Sequence, residues 1–255
     1  MRPISPVRFS TPTAAATFPA DPAIRMVHLV IVTVSAALLL GAWLGLSGKF
    51  PLRLEGFLLG LAGGALLLSA VTELLQPAVE KSTLPWVLFS AFLGASVFSG
   101  IDYLIDERFS SDSGGSLLAA VTLDGIPENL ALGVALISME PMAAFPLAGS
   151  IFLSNLPEAA AGAREMKDAD LSKARILATW GGAALVLSAS AIIGHQCLRA
   201  LPGASLANIG AFAGGAVIAS LATEIFPKAF QKENHFSGIA AISGVLLTFL
   251  LQALH

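Results

Sequence analysis

Cysteine is almost missing from this chain. Cys197 is the only one in 255 residues, so there can be no internal disulfide and no thiolate metal cluster. Charge is scarce too: Asp, Glu, Lys and Arg make up 12% of the sequence, about half the share of an ordinary soluble domain. The net charge is −3 and no basic cluster stands out, which argues against nucleic acid as a partner. Tyr occurs once and Trp three times. That is enough for a thin aromatic belt, with Trp86 and Trp180 near the ends of apolar stretches, where such rings sit. No His-Glu-x-x-His motif occurs, which speaks against a helical zinc protease. Asp124-Gly125 alone is too little for an aspartyl protease, and the chain is not expected to be an enzyme.

What is abundant is apolar. Hydrophobic residues make up 55% of the chain, and mean hydropathy is +0.79. They fall in blocks of about 20, the length that crosses a bilayer core. Blocks bounded by charges and turn residues give eight spans, at 27–47, 56–79, 84–105, 116–139, 143–163, 174–200, 206–228 and 237–254. The expected fold class is an all-α polytopic membrane protein, with residues 27–255 forming one eight-helix transmembrane domain. Residues 1–26 carry Pro, Ser, Thr and Arg with little acid and no apolar core. They read as a disordered tail, with an Arg- and Ser-rich targeting segment as the alternative.

Positive charge orients the spans. The connections after spans 1, 3, 5 and 7 carry Lys49, Arg53, Arg108, Arg164, Lys167, Lys173, Arg175, Lys228 and Lys232. The opposite side has Arg2, Arg8, Arg25, Lys81 and Arg199. The richer side is expected to face the cytoplasm, with both termini outside or lumenal.

Two distant stretches match. "AGGALLLSAVTEL" (62–74) and "AGGAVIASLATEI" (213–225) share seven of thirteen positions, among them the Ser, Thr and Glu. The copies lie in spans 2 and 7, five spans apart, and so run in opposite senses. Spans 4 and 5 echo each other through "DGIPENLA" (124–131) and "SNLPEAAA" (154–161). The pattern predicts an inverted repeat of 3+2+3 architecture, as in many secondary transporters.

Carboxylates inside a membrane are costly and need a reason. Asp124 and Glu128 leave one face of span 4 about 6 Å apart along the axis, with Asn129 pointing away. Ser154 and Glu158 repeat the arrangement in span 5, beside Asn155. Pro127 and Pro157 remove backbone donors next to these side chains. No Lys or Arg stands at a span centre, so a divalent cation between spans 4 and 5 is the expected counter-charge. Asp124, Glu128, Ser154, Asn155 and Glu158 are therefore the candidate metal ligands. Glu73 and Glu224, the duplicated pair, are candidate outer and inner waystations, and Asp102 at the end of span 3 joins the pathway set. The competing account makes the acids neutral, serving as interhelical hydrogen-bond glue, with Glu73, Glu224 and Asp102 as solvated helix-end residues.

Eight spans, outward termini and a Pro-Glu pair in both central spans resemble the Zrt/Irt-like (ZIP) metal transporters, from about residue 27 onward. The family's span 4 motif, His-Asn-x-Pro-Glu-Gly, is similar to "DGIPEN" here, and its span 5 motif to "SNLPEA". "TEIFPKA" resembles the family's acidic segment in span 7. The resemblance implies transport of a divalent metal, usually zinc, iron or manganese, toward the cytoplasm. It implies a site at Asp124, Glu128, Ser154 and Glu158, with Asn155 in a neighbouring second site and Glu224 on the exit path. Asp124 and Gly125 replace the family's His and Asn, and span 6 has no carboxylate. An oxygen-only site favours harder ions such as Mn²⁺ or Fe²⁺ over Zn²⁺. The expected partners are metal ions and the lipid bilayer, with a homodimer left open. The alternative function is a ZIP-like metal sensor or structural membrane protein that does not transport.

Overall fold

A computed structural model of the chain describes residues 22–48, 50–108, 114–138 and 144–254. The tail through residue 21, Lys49, the centre of the "DERFSSDSGG" connection, residues 139–143 and His255 lie outside the described residues.

Every described element is helical. The rods are α1 (Pro22–Ser47), α2 (Leu52–Lys81), α3 (Leu84–Arg108), α4 (Gly114–Ser138), α5 (Phe145–Asp168), α6 (Lys173–Leu198), α7 (Gly203–Lys232) and α8 (Ser237–Ala253). Five stretches, Arg25–Ser47, Leu52–Lys81, Leu84–Ile105, Lys173–Leu198 and Gly203–Lys232, are long and apolar enough to cross a membrane, as an α-helical integral membrane protein requires. The first helix begins at Pro22, inside the segment read as tail. A proline suits that first position because its missing N–H has no helical partner there anyway.

Four helices form the interior. α2, α5, α4 and α7 touch in a ring, and each carries one outer helix: α8 on α2, α1 on α5, α6 on α4 and α3 on α7. The bundle is apolar on its outside and buries a few carboxylates and hydroxyls within a mainly apolar interior. Phe92 and Leu185 leave 75% and 74% of their surface uncovered, which suits lipid rather than water. The buried carboxylates Glu55, Glu73, Asp124, Glu128 and Glu224 all belong to the inner ring. Trp180 departs from the expected aromatic belt. It is buried on α6 among Leu38, Ala42 and Ile176, while Trp86 is exposed and stacks edge-on with Phe89.

Outer and inner helices meet backbone to backbone. A Cβ on Gly64 would strike the Ala241 carbonyl, and one on Gly244 the Leu61 carbonyl, where α2 crosses α8. Gly215 against Ala91 and Gly94 against Phe212 do the same where α7 crosses α3. Gly45 meets the Ala160 carbonyl between α1 and α5, and Gly133 the Ala191 carbonyl between α4 and α6. Without a water-driven force between apolar helices, such close approach supplies the packing.

Both copies of the duplicated motif end in a π-helical turn, Ala70–Leu75 in α2 and Leu221–Ile225 in α7. The Gln76 N–H reaches back five residues to Val71, and the Phe226 N–H reaches back five to Leu221. Pro77 and Pro227 follow directly. A proline ring collides with the carbonyl four residues earlier and offers no donor to it, and a widened turn just ahead relieves both problems. Glu73 and Glu224 therefore sit in locally widened helix, where such turns often serve function.

The crossings make an expected outcome concrete. Gly64→Ala and Gly215→Ala should each cost about 1–3 kcal/mol through overpacking, seen as lower melting temperatures in detergent. Gly100→Ala and Gly149→Ala, with open space around the added methyl, should leave the melting temperature unchanged.

Candidate functional site

α4 and α5 run as continuous helices through Pro127 and Pro157. On α4, Asp124 and Glu128 are both buried. On α5, Ser154 and Asn155 are buried and Glu158 is half-buried. α4 and α5 are in contact and Glu128 lies within electrostatic reach of Glu158, while Ser154 Oγ donates to the Ile151 carbonyl at 3.0 Å. Asn129 is as buried as its neighbours. Its Nδ2 donates to the Gly125 carbonyl at 2.9 Å, and its Oδ1 has no hydrogen-bond partner.

The structure enlarges the site in one direction. Asp124 turns toward α7 as well as α5. Ser220 Oγ donates to Asp124 Oδ1 at 3.1 Å, and Glu224 faces both Asp124 and Glu158. Glu224, expected on an inner path, adjoins the central carboxylates. Three buried carboxylate oxygens, on Asp124 Oδ2, Glu158 Oε1 and Glu224 Oε1, have no hydrogen-bond partner. Such oxygens demand a proton or a cation.

One expectation fails. The cluster does contain a protein cation: Lys228 Nζ pairs with Glu224 one turn earlier on α7, and stands 4.0 Å from Asp124 Oδ2. Assigned to a span end, Lys228 reaches inward because a lysine stem can bury itself while its head finds charge. Among the described residues, no three His, Cys, Asp or Glu side chains stand at the spacing of a formed metal cage. The carboxylates feel one another without closing on a common point.

Gly125, where the resemblance expects an amide ligand, has a packing reason. A Cβ there would strike Leu187 of α6, which is fully buried. A leucine fills the space a ligand at 125 would need.

Glu73 lies apart from this cluster. It faces the Leu147 backbone in the first turn of α5. Gln252 of α8 donates to Thr72 Oγ1 at 2.6 Å and to Glu73 Oε1 at 3.3 Å. A cleft lined by Glu73, Pro77, Lys81, Val134 and Leu206 opens beside it. Asp102 stands half-buried on α3.

The opposite end is closed by ions that sequence reading missed. Glu55 of α2 has 0% of its side chain exposed and binds Arg164 of α5 at 2.9 Å and Lys232 of α7. Arg164 also donates to the Phe50 carbonyl at 3.0 Å, and Lys167 to the Leu46 carbonyl at 3.4 Å. Glu55, next to Arg53 near a span end, has no sequence mark to separate it from a surface acid. Lys228 did have one, its position four residues after Glu224. Ser220 had one too, as the duplicate of Ser69.

No protein-family model matches the chain, and no curated protein matches it in sequence.

Glu55→Gln should lower stability by about 2 kcal/mol. That is below the ~3–5 kcal/mol of a fully buried broken pair, because Arg164 and Lys232 keep 25% and 21% of their side chains exposed and can turn to water. Thermal unfolding in detergent reads the loss, with Glu80→Gln on the exposed surface as the control.

Proposed function

We propose that the protein is a divalent-metal transporter of the Zrt/Irt-like type, divergent in its central motif. The observation that carries the reading is the inner group of Asp124, Glu128, Glu158 and Glu224, with Lys228 reaching Asp124 and Glu224. Four carboxylates against one ammonium leave three negative charges when all are ionised, and a divalent cation offsets two. In this reading all eight helices span the membrane as a 3+2+3 inverted repeat. The matched π turns and the matched glycine crossings of α2 with α8 and α7 with α3 support that symmetry. The basic end then faces the cytoplasm and the termini face outward.

Metal approaches by the cleft beside Glu73 and binds between Glu128, Glu158 and Ser154, near Asp124 and Asn155. It leaves past Glu224 once the contacts of Glu55 with Arg164 and Lys232 part. The ligand atoms are oxygens only, which favours Mn²⁺ or Fe²⁺ over Zn²⁺. The cargo ion is substrate, and no resident cofactor is required.

A second reading has its own observation. The described carboxylates do not form a closed metal cage, which suits a ZIP-like membrane protein that senses metal or plays a structural role without transporting it. Binding without flux favours that reading.

In proteoliposomes loaded with a metal-sensitive dye, Glu128→Ala and Glu158→Ala should each cut Mn²⁺ influx at least tenfold. Unchanged influx in both sinks the transport reading. A carboxylate must be ionised to hold metal, so protons compete with cargo. Influx should therefore fall as the pH on the loading side is lowered and recover as it is raised; a flat profile counts against carboxylate ligation.

A further inference from the structure

The two copies of the duplicated motif give their glutamates different company. Glu224 has Lys228 four residues on and pairs with it. Four residues past Glu73 stands Pro77, which has no charge to offer. Glu73 is 5% exposed, yet it makes no ion pair among the described residues. Its partner is an amide: Gln252 Nε2 of α8 donates to Glu73 Oε1 at 3.3 Å and to Thr72 Oγ1 at 2.6 Å. Glu73 Oε2 has no hydrogen-bond partner, and neither has the hydroxyl of Ser69, fully buried one turn earlier. The neighbouring helices bring no charge to it either. α4 contributes Val134 to the cleft beside it, α7 contributes Leu206, and α5 turns the Leu147 backbone toward it. Lys81, at the end of α2, lines the same cleft two turns beyond Glu73 without pairing with it.

We propose that Glu73 is a proton-binding site: a carboxyl that takes up and gives back a proton through the cleft beside it, with Gln252 as a neutral partner that serves both of its charge states. Ionised, Glu73 carries charge on a buried oxygen that nothing meets, a cost that one proton removes. The amide suits the exchange. Its NH₂ group donates to the ionised form, and its carbonyl oxygen, brought round by a half-turn of the amide, accepts from the protonated form. A lysine in its place would favour the ionised form alone. The cleft has a volume of about 20 Å³. That is room for one water molecule, which needs roughly 10–15 Å³, and water is the carrier by which a proton reaches a buried carboxyl. The site is separate from the carboxylates of α4, α5 and α7, and it holds whether or not the chain carries metal.

The test is infrared difference spectroscopy of the full chain in detergent, between mildly acidic and mildly alkaline buffer. It reads the carbonyl stretch of a protonated carboxyl directly. Wild type should show a band that Glu73→Gln reduces by one carboxyl. Gln252→Lys should move the midpoint of the Glu73 component by about one pH unit or more to lower pH, because an ammonium favours the ionised form. Gln252→Leu removes a donor to that form and should move the midpoint to higher pH. Loss of packing alone would not shift one carboxyl in opposite directions. If Glu73→Gln does not elute as a single species, the two Gln252 variants, which keep Glu73, decide alone. A Glu73→Gln band equal to that of wild type, or a midpoint that neither Gln252 variant moves, overturns the proposal. Neither result bears on Mn²⁺ influx through the Glu128 and Glu158 variants, so the transport reading stands or falls separately.

Discussion

An ionised carboxylate in an apolar bundle must be met by a cation, a proton or several donors, because the interior cannot solvate it. The inner ring answers that demand in three ways. Glu55 is met by two basic side chains from neighbouring helices. Glu73 is met by an amide from α8. The central group is met in part, by one lysine and the Ser220 hydroxyl, and keeps buried oxygens with nothing bonded to them.

The two copies of the duplicated motif differ in what stands at matching positions around them. Seven residues ahead of the duplicated motif α2 has Glu55 and α7 has Leu206. Six residues past the Pro-Glu pair α5 has Arg164 and α4 has Val134. Leu206 and Val134 line the cleft beside Glu73, while Glu55 and Arg164 bind each other. One set of positions is thus ion-paired, and the equivalent set is apolar and buried.

Much of the fold was legible because membrane spans write themselves as apolar blocks of fixed length, and five of the expected blocks are helices long and apolar enough to cross a membrane. The duplicated motif also pointed correctly to Glu73 and Glu224 as a matched pair, since both occupy the same kind of widened turn. The candidate carboxylates of α4 and α5 were legible because Pro-Glu marked them, and their neighbours on α7 were less so. Lys228 and Ser220 act across helices, and a linear chain states only what repeats along it. Glu55 and Trp180 were misjudged or passed over for a related reason. A residue near a span end is surface or core depending on which helix lies beside it, and that is a property of the bundle.

The glycine crossings bear on how the molecule can change shape. Where one backbone rests on another, there are no side-chain rotamers to readjust, so each outer helix is bound to its inner partner as a stiff couple. Sliding is left to the seams among α2, α4, α5 and α7. Those seams are lined by the carboxylates, the hydroxyls and the lysines, so a shear of one couple past another necessarily exchanges one set of polar partners for another.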